Sequence, residues 1–586
     1  MLSDLNNSQK KNEVIILESS EKNVINKSNE SSINEDLYRI YFNDLLHGET
    51  YVKKNSLLKF IKLRGISLTD NRIRKQLELL EEDITFNKFI ELINTNILLF
   101  EKIFENDLII ANWNKFINDI DNIYENTKTH TSGKVASYIP QLANVNPDLY
   151  SVSICSIDGQ IYNNGDCFSE FCVQSCSKPI TYLIASDLKN SDYVHNFVGH
   201  EPSGRNFNEL CLNNEKIPHN PLINSGAIMC ASLIDYENTL ANRYDKIIKY
   251  WSRLAGNTKI NFSTSVYLSE KNTADRNNCL AYMMQESKAF ECGINPNKYK
   301  RDWSNKNLEE TLDFYFQCCS IEINCTQASI IASTLANGGI CPLTNERIFS
   351  NTIVKNALSL MSSCGMYDYS GEWAYTIGIP AKSGVSGIIM GIIPNVMGIA
   401  VYSPRLDDLG NSSKGIEFFK KLTAYYPFHT YDNLCNKNNI VLKKDIINNN
   451  LNIYNLLTAS SVGDLNTIII LYGRNIDLNS YDYDKRTALH LACSECHIEV
   501  VKYLIKKGVN INCQDRWNNK PIDDIIRFKN NLLKLSTEKI KNKRKENSHS
   551  IDTINSLDIH ENIKKKLTEC EIIIELLGYN TTITTM

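Results

Sequence analysis

The pattern of apolar and polar positions changes character several times along the chain. Residues 1–35 are polar, rich in Asn, Ser and Lys and without periodicity, which predicts a disordered N-terminus. From Asp36 apolar residues recur at three- and four-residue steps: Ile73, Leu77, Leu80 and Ile84, then Phe86, Phe89, Ile90, Ile93 and Ile97. Residues 36–128 therefore predict a small all-α bundle. None of its loops has the carboxylate spacing of a calcium-binding hand, so no metal is assigned to it.

Over residues 129–433 the pattern mixes two periods. Leu149–Ile157, Gly387–Ile393 and Val396–Tyr402 read as strands, and Ile180–Asp187, Ile223–Asp235 and Gln327–Ala336 as helices. An antiparallel sheet with helices packed around it, an α+β domain, fits this mixture. Residues 286–308 are polar and charged and read as a surface insertion. A polar linker at 434–450 precedes an internal repeat. Gly463 pairs with Cys496, Leu471 with Leu504, Asn479 with Asn512 and Asp482 with Asp515, each one period of 33 residues apart. That period, and the run Arg486-Thr487-Ala488-Leu489-His490-Leu491-Ala492, resemble ankyrin repeats, assigned here to 451–547. A further unit starting at Asp515 fades after Pro521. The tail, 548–586, follows the basic stretch Lys539–Asn547 and carries a short apolar helix at Ile572–Leu577.

Composition narrows the function classes. The 586 residues are 42% hydrophobic and 22% charged, enough apolar material for a large core. Lys+Arg number 63 against 67 Asp+Glu, a net charge of −4, so neither nucleic acid nor an anionic membrane is expected as a partner. No apolar run reaches the ~20 residues of a membrane helix. Neither a secretory core nor an Arg-rich presequence is visible before Arg39, and the 18 Cys read as reduced intracellular thiols.

Two short motifs could carry chemistry. Ser175-Cys176-Ser177-Lys178 places an amine one helical turn from a hydroxyl, and a desolvated Lys can serve a Ser nucleophile as base. About three Ser-x-x-Lys matches arise by chance in such a chain. Ser19/Lys22 and Ser536/Lys539 are two of them, in polar segments. Ser175 differs because it lies between a strand-like end and an apolar helix. Lys382-Ser383-Gly384 stands directly before an apolar hairpin. Serine hydrolases of the penicillin-binding and β-lactamase type combine these two boxes in this order. An ordinary helix start and an ordinary turn are the alternatives for each box alone. Cys493-Ser494-Glu495-Cys496-His497 matches a haem-attachment pattern but falls within the repeat register and reads as repeat filler. Cys167, Cys172 and Cys176 lack a second ligand pair at zinc spacing.

Longer words extend this reading. Ser137–Leu142, Gln174–Pro179, His219–Ile228, Asp275–Asn277, Asp313–Gln317, Cys364–Asp368 and Ala381–Val385 together resemble the animal glutaminases of kidney and liver type, over about Leu37 to Asp524. The resemblance implies an EF-hand-like N-terminal bundle, a β-lactamase-like catalytic domain and C-terminal ankyrin repeats. It implies hydrolysis of L-glutamine to L-glutamate and ammonia, without metal or organic cofactor. Matched position by position, Ser175 is implied as nucleophile, Lys178 as its activating partner, and Tyr138 and Tyr367 as active-site phenols. Asn224, Glu270, Asn277, Tyr315 and Tyr367 are implied as substrate contacts, and the backbone amides of Ser175 and Val385 as the oxyanion hole. A free amino acid needs an anion for its ammonium, a role open to Glu270, and neutral donors for its carboxylate.

The same resemblance implies a homodimer pairing into a tetramer, an activating inorganic anion such as phosphate, a protein partner on the ankyrin face and a mitochondrial address. The absence of a visible transit peptide leaves the cytosol open. Phe207–Asn213 matches the loop through which dimers of the family pair, and kidney-type relatives carry Phe where this chain has Cys211. Lys271-Asn272-Thr273-Ala274 departs from the family's acidic stretch after Glu270. Two rival readings are a penicillin- or ester-directed serine hydrolase and a catalytically weak scaffold acting through its repeats. The first has no need of Glu270, Asn277 and the Tyr set. The second is expected to have lost Ser175, Lys178 or Tyr367, and all three are present.

Overall fold

A computed structural model describes residues 38–39, 41–46, 48–204, 208–294, 301, 303, 305–434, 443–473, 476–543 and 553–578. The expected disorder of 1–35 lies outside them, as do Phe207 and much of the 434–450 linker. The chain forms two compact units, 1–443 and 444–586.

The first begins with a bundle whose core includes Leu57, Ile61, Phe89, Ile93, Phe100 and Ile103, all fully buried. It is not purely helical, as expected from its period. β1 (Val52–Lys53) and β2 (Asp83–Ile84) pair antiparallel, and each runs directly into a helix, Lys54–Leu63 and Phe86–Thr95. Val52 faces Ile84, and both are buried. A β-branched pair closes well in an extended ladder, which the helical period around it masks.

The central sheet is antiparallel, in the order β4 (Ile161–Gly165), β3 (Ser151–Ser156), β10 (Met397–Tyr402), β9 (Ile388–Ile393), β8 (Ala381–Gly384). Alternate residues of its inner strands feed two different cores. Val152, Ile154, Ile389, Ile399 and Val401 face one; Cys155, Met390, Ala400 and Tyr402 face the other. Burial on both faces makes these strands read as continuous apolar runs. Helix Cys325–Ala336 packs on β3, β9 and β10. A three-stranded sheet, β5 (Phe171–Cys172), β7 (Ile321–Ile323), β6 (Asn261–Phe262), lies beside the turn Gln174–Cys176.

Two sequence expectations are corrected here. Helix Trp113–Lys128, placed by its period in the N-terminal bundle, puts Phe116, Ile120 and Tyr124 into the core of the central sheet, beside Phe418 and Phe419. The boundary at 128 thus cuts behind an element that packs on the central sheet. The described part of the 286–308 insertion is not mere surface either. Phe290 is fully buried and stacks on Trp303, and the buried Arg301 donates to the carbonyls of Phe290 (2.8 Å) and Ser232 (3.1 Å). Polar composition misleads because one guanidinium satisfies several carbonyls inside the protein.

The second unit stacks three helix pairs: Lys443–Val462 with Leu465–Gly473, Ala488–Ser494 with Ile498–Lys506, and Pro521–Lys543 with Thr553–Leu576. Thr487 and His490 form a capping box that starts the second pair, the local reason for the Thr-Ala-Leu-His run. The third unit does not fade after Pro521. Helix Thr553–Leu576, expected as tail, packs on Pro521–Lys543 and Ile498–Lys506, with Cys570 and Ile573 fully buried. The period is lost because the first helix of this pair has 23 residues where its counterpart in the second pair has 7.

Candidate active site

Ser175 stands in a 3-10 turn, Gln174–Cys176, between β5 and helix Ser177–Lys189. Gln174 adopts φ +48°, a left-handed conformation that turns the chain sharply from strand to helix and is costly for a side chain of this size. Lys178, in the first turn of the helix, is 1% exposed, and its Nζ donates to Asn224 Oδ1 at 2.7 Å. The Asn224 amide donates onward to Asn277 Oδ1 at 2.9 Å. Burial lowers the Lys178 ammonium to about 7, and the positive charge of Lys382 acts in the same direction. A substantial neutral fraction is then available near neutral pH, as a general base requires.

Tyr367 approaches Ser175 as well. It opens a 3-10 turn with φ +52°, and its hydroxyl is hydrogen-bonded to Ser175 and to the backbone amide of Val385. Burial holds the phenol protonated, well above its ordinary range. Lys382, on edge strand β8 and fully buried, donates to the carbonyls of Gly365 (2.9 Å) and Ser383 (2.8 Å). Its Nζ lies 4.6 Å from the centre of the Tyr367 ring. Burial lowers this amine to about 8.

The third wall carries the carboxylate. Glu270, on helix Thr264–Asn272, is 9% exposed and accepts from the Tyr138 hydroxyl at 2.6 Å and from Gln174 Nε2 at 3.0 Å. Burial raises its carboxyl, while these two donors counter the rise. Tyr315, on helix Asn305–Cys319, is buried nearby, its hydroxyl hydrogen-bonded to Cys319. The departure at Lys271 has a role: it pairs with Asp313 at 2.7 Å and ties the Glu270 helix to the Tyr315 helix.

Tyr138, Ser175, Lys178, Asn224, Glu270, Asn277, Tyr315, Tyr367 and Val385, up to 247 positions apart, thus meet in one site. Sequence reasoning gave no role to Gln174, Lys382 or Cys319. Gln174 stood in a quoted word and Lys382 in a quoted box, so for these two the signal was present. Cys319 carried none. Cys493, Cys496 and His497 fall inside the repeat stack, the two thiols buried and His497 bonded to the Ser461 carbonyl at 3.0 Å. Among the described residues no group of three His, Cys, Asp or Glu could hold a metal, and no helix is long and apolar enough to cross a membrane.

A helix-flanked antiparallel sheet with a Ser-x-x-Lys turn and a Lys-Ser-Gly edge strand defines a hydrolase domain of β-lactamase-like class. The glutaminase family model matches residues 133–431, and an ankyrin-repeat model matches 430–515. The mitochondrial liver isoform of glutaminase from Mus musculus is 41% identical over 501 residues, 83% of this chain and 81% of its own length. A glutaminase from Nostoc sp. is 41% identical over 319 residues, 54% of this chain and 90% of its own. The solved structure of a probable glutaminase, ybaS, superposes with a TM-score of 0.50 at 33% identity, covering 54% of this chain and 98% of that one. The chain belongs to the glutaminase family.

Proposed function

We infer that the glutaminase reaction of this chain, hydrolysis of L-glutamine to L-glutamate and ammonia, runs through an acyl-enzyme on Ser175. The observation that carries this is the hydroxyl of Ser175 bonded to Tyr367 and one helical turn from a buried Lys178 lowered to about 7. Neutral Lys178 takes the Ser175 proton as the hydroxyl attacks the side-chain amide carbonyl. The amides of Ser175 and Val385 receive the oxyanion. Tyr367 passes a proton to the leaving nitrogen, since ammonia departs only when protonated. Water then cleaves the ester by the same groups in reverse. Glu270 holds the substrate ammonium, and Asn224, Asn277 and Tyr315 its carboxylate, with Tyr138 and Gln174 orienting Glu270. Quenching the enzyme during turnover and mapping its peptides tests the route. A glutamyl ester on the Ser175 peptide is expected; a burst of ammonia with no adduct there would overturn it.

Other features of the family reading rest on narrower support. The paired ribbon of β1 and β2, each strand leading into a helix, supports an EF-hand-like bundle without a metal. The mitochondrial name of the mouse relative supports that compartment here. Leu210 is 44% exposed and Leu212 packs against the catalytic core, so the loop offers an apolar contact for pairing of dimers into a tetramer. With Cys211 in place of an aromatic ring, that tetramer is weaker than in kidney-type relatives. An activating anion such as phosphate and a protein partner on the repeats complete the reading.

A further inference from the structure

The second ankyrin repeat and the last helix meet through two thiols. Cys496 lies in the turn between helices Ala488–Ser494 and Ile498–Lys506, at φ +56°, and Cys570 on helix Thr553–Leu576. Their sulfurs are 3.5 Å apart, and the residues are 1% and 0% exposed. Lys566, one turn before Cys570, donates to the Cys496 carbonyl at 3.2 Å, so the two elements are already clamped at this point. The contact joins residues 74 positions apart.

We propose that Cys496 and Cys570 are a redox-responsive pair that closes to an intramolecular disulfide with a hydroperoxide and staples the last helix to the second repeat. The asymmetry of the pair suits this chemistry. The two thiols share a hydrogen bond in which either sulfur can be the donor, and this bond, with Lys529 and Lys566 beside it against an opposing Glu569, holds the Cys570 thiol below the usual range. Cys496 is raised for the same reason and stays protonated. The Cys570 thiolate attacks one peroxide oxygen, the O–O bond breaks, and hydroxide leaves to become water, giving a sulfenic acid. The Cys496 sulfur then attacks the Cys570 sulfur, loses its proton and expels a second water. Two thiols are oxidised and one hydroperoxide is reduced.

Fixing Cys570 would hold the apolar face of this helix, Ile573, Ile574 and Leu577, on the repeats. The full chain, treated with hydrogen peroxide, alkylated under denaturing conditions and mapped as peptides, should yield a cross-link between the Cys496 and Cys570 peptides, reversed by a dithiol reductant. Trypsin cleavage at Lys564 to Lys566 should become about tenfold slower after oxidation. Neither change should occur in Cys570→Ser or Cys496→Ser, and ammonia release should be unaffected in both. Free alkylation of both thiols after other cysteines have oxidised would overturn the proposal. So would cross-links to other partners, or equal slowing of cleavage in the Ser variants.

Discussion

The catalytic domain and the repeat unit solve the problem of burial in different ways. In the repeats, three hydrogen bonds between units span about one period, His490 to Asn519 at 29 positions, Asn510 to Asn479 at 31 and His497 to Ser461 at 36, and the longer Lys566 to Cys496 bond still joins adjacent helix pairs. Each pair of helices needs only its neighbours, as in other stacked arrays. In the catalytic domain Tyr138 bonds to Glu270 across 132 positions, and Cys176 to the Lys382 carbonyl across 206. There the core encloses Lys178, Lys382 and Glu270, all 9% exposed or less. Buried charge is destabilising on its own and is retained where chemistry uses it. The stack buries charge as well, Asp515 at 5% and Asp524 at 4% exposed, but there Asp524 pairs with Arg486 and Asp515 accepts from the backbone amides of its own turn.

Substitutions in the two regions should therefore have very different consequences. The largest effect is expected for Ser175→Ala, which should lower ammonia release by about a thousandfold or more with the fold intact. A variant within about tenfold of the parent rate would remove Ser175 from the role of nucleophile. Glu270→Gln keeps shape and removes the anion proposed to face the substrate ammonium, and should cost about 2–5 kcal/mol in kcat/KM for glutamine. An unchanged kcat/KM would make Glu270 a structural residue.

A pH profile sharpens the contrast further. Lys178 must be neutral to act, and burial puts its titration at about 7. Activity should thus fall as pH drops below that value and Lys178 gains its proton. Lys382→Met removes a positive charge that favours the neutral form, so the Lys178 pKa should rise and the acid limb move up by about one pH unit. A profile that keeps its acid limb in place would show that another group titrates there.

Effects at the proposed subunit contact should be smaller. Cys211→Phe should strengthen tetramerisation, and the binding of apolar inhibitors that wedge into the loop, by about 1–2 kcal/mol. Sedimentation against concentration checks it, and equal tetramer stability in both forms would place Cys211 outside the contact. The smallest effect is expected where the two regions are separated. A chain ending near residue 440 should keep the parent turnover within about threefold, because the repeat array buries its core among its own helices. A soluble truncation without activity at any concentration would show that the repeats support the chemistry.

What the sequence by itself determined is local. Strand limits at Ser151–Ser156, Ile388–Ile393 and Met397–Tyr402 fell within a few residues of the apolar runs, and Pro394-Asn395 marked their turn, with Asn395 at φ +61°. The Ser175 turn, the edge-strand box and two helix pairs of the repeat were equally legible, because each is a pattern of neighbours along the chain. Only the tertiary structure decided that Trp113–Lys128 covers the central sheet and that Thr553–Leu576 packs on the repeats. Only there does Gln174 meet Glu270, and Lys382 lie over Tyr367. The physical reason is that periodicity reports which face of an element is buried and says nothing of the partner that buries it. Contacts across a hundred or more positions leave no period to read.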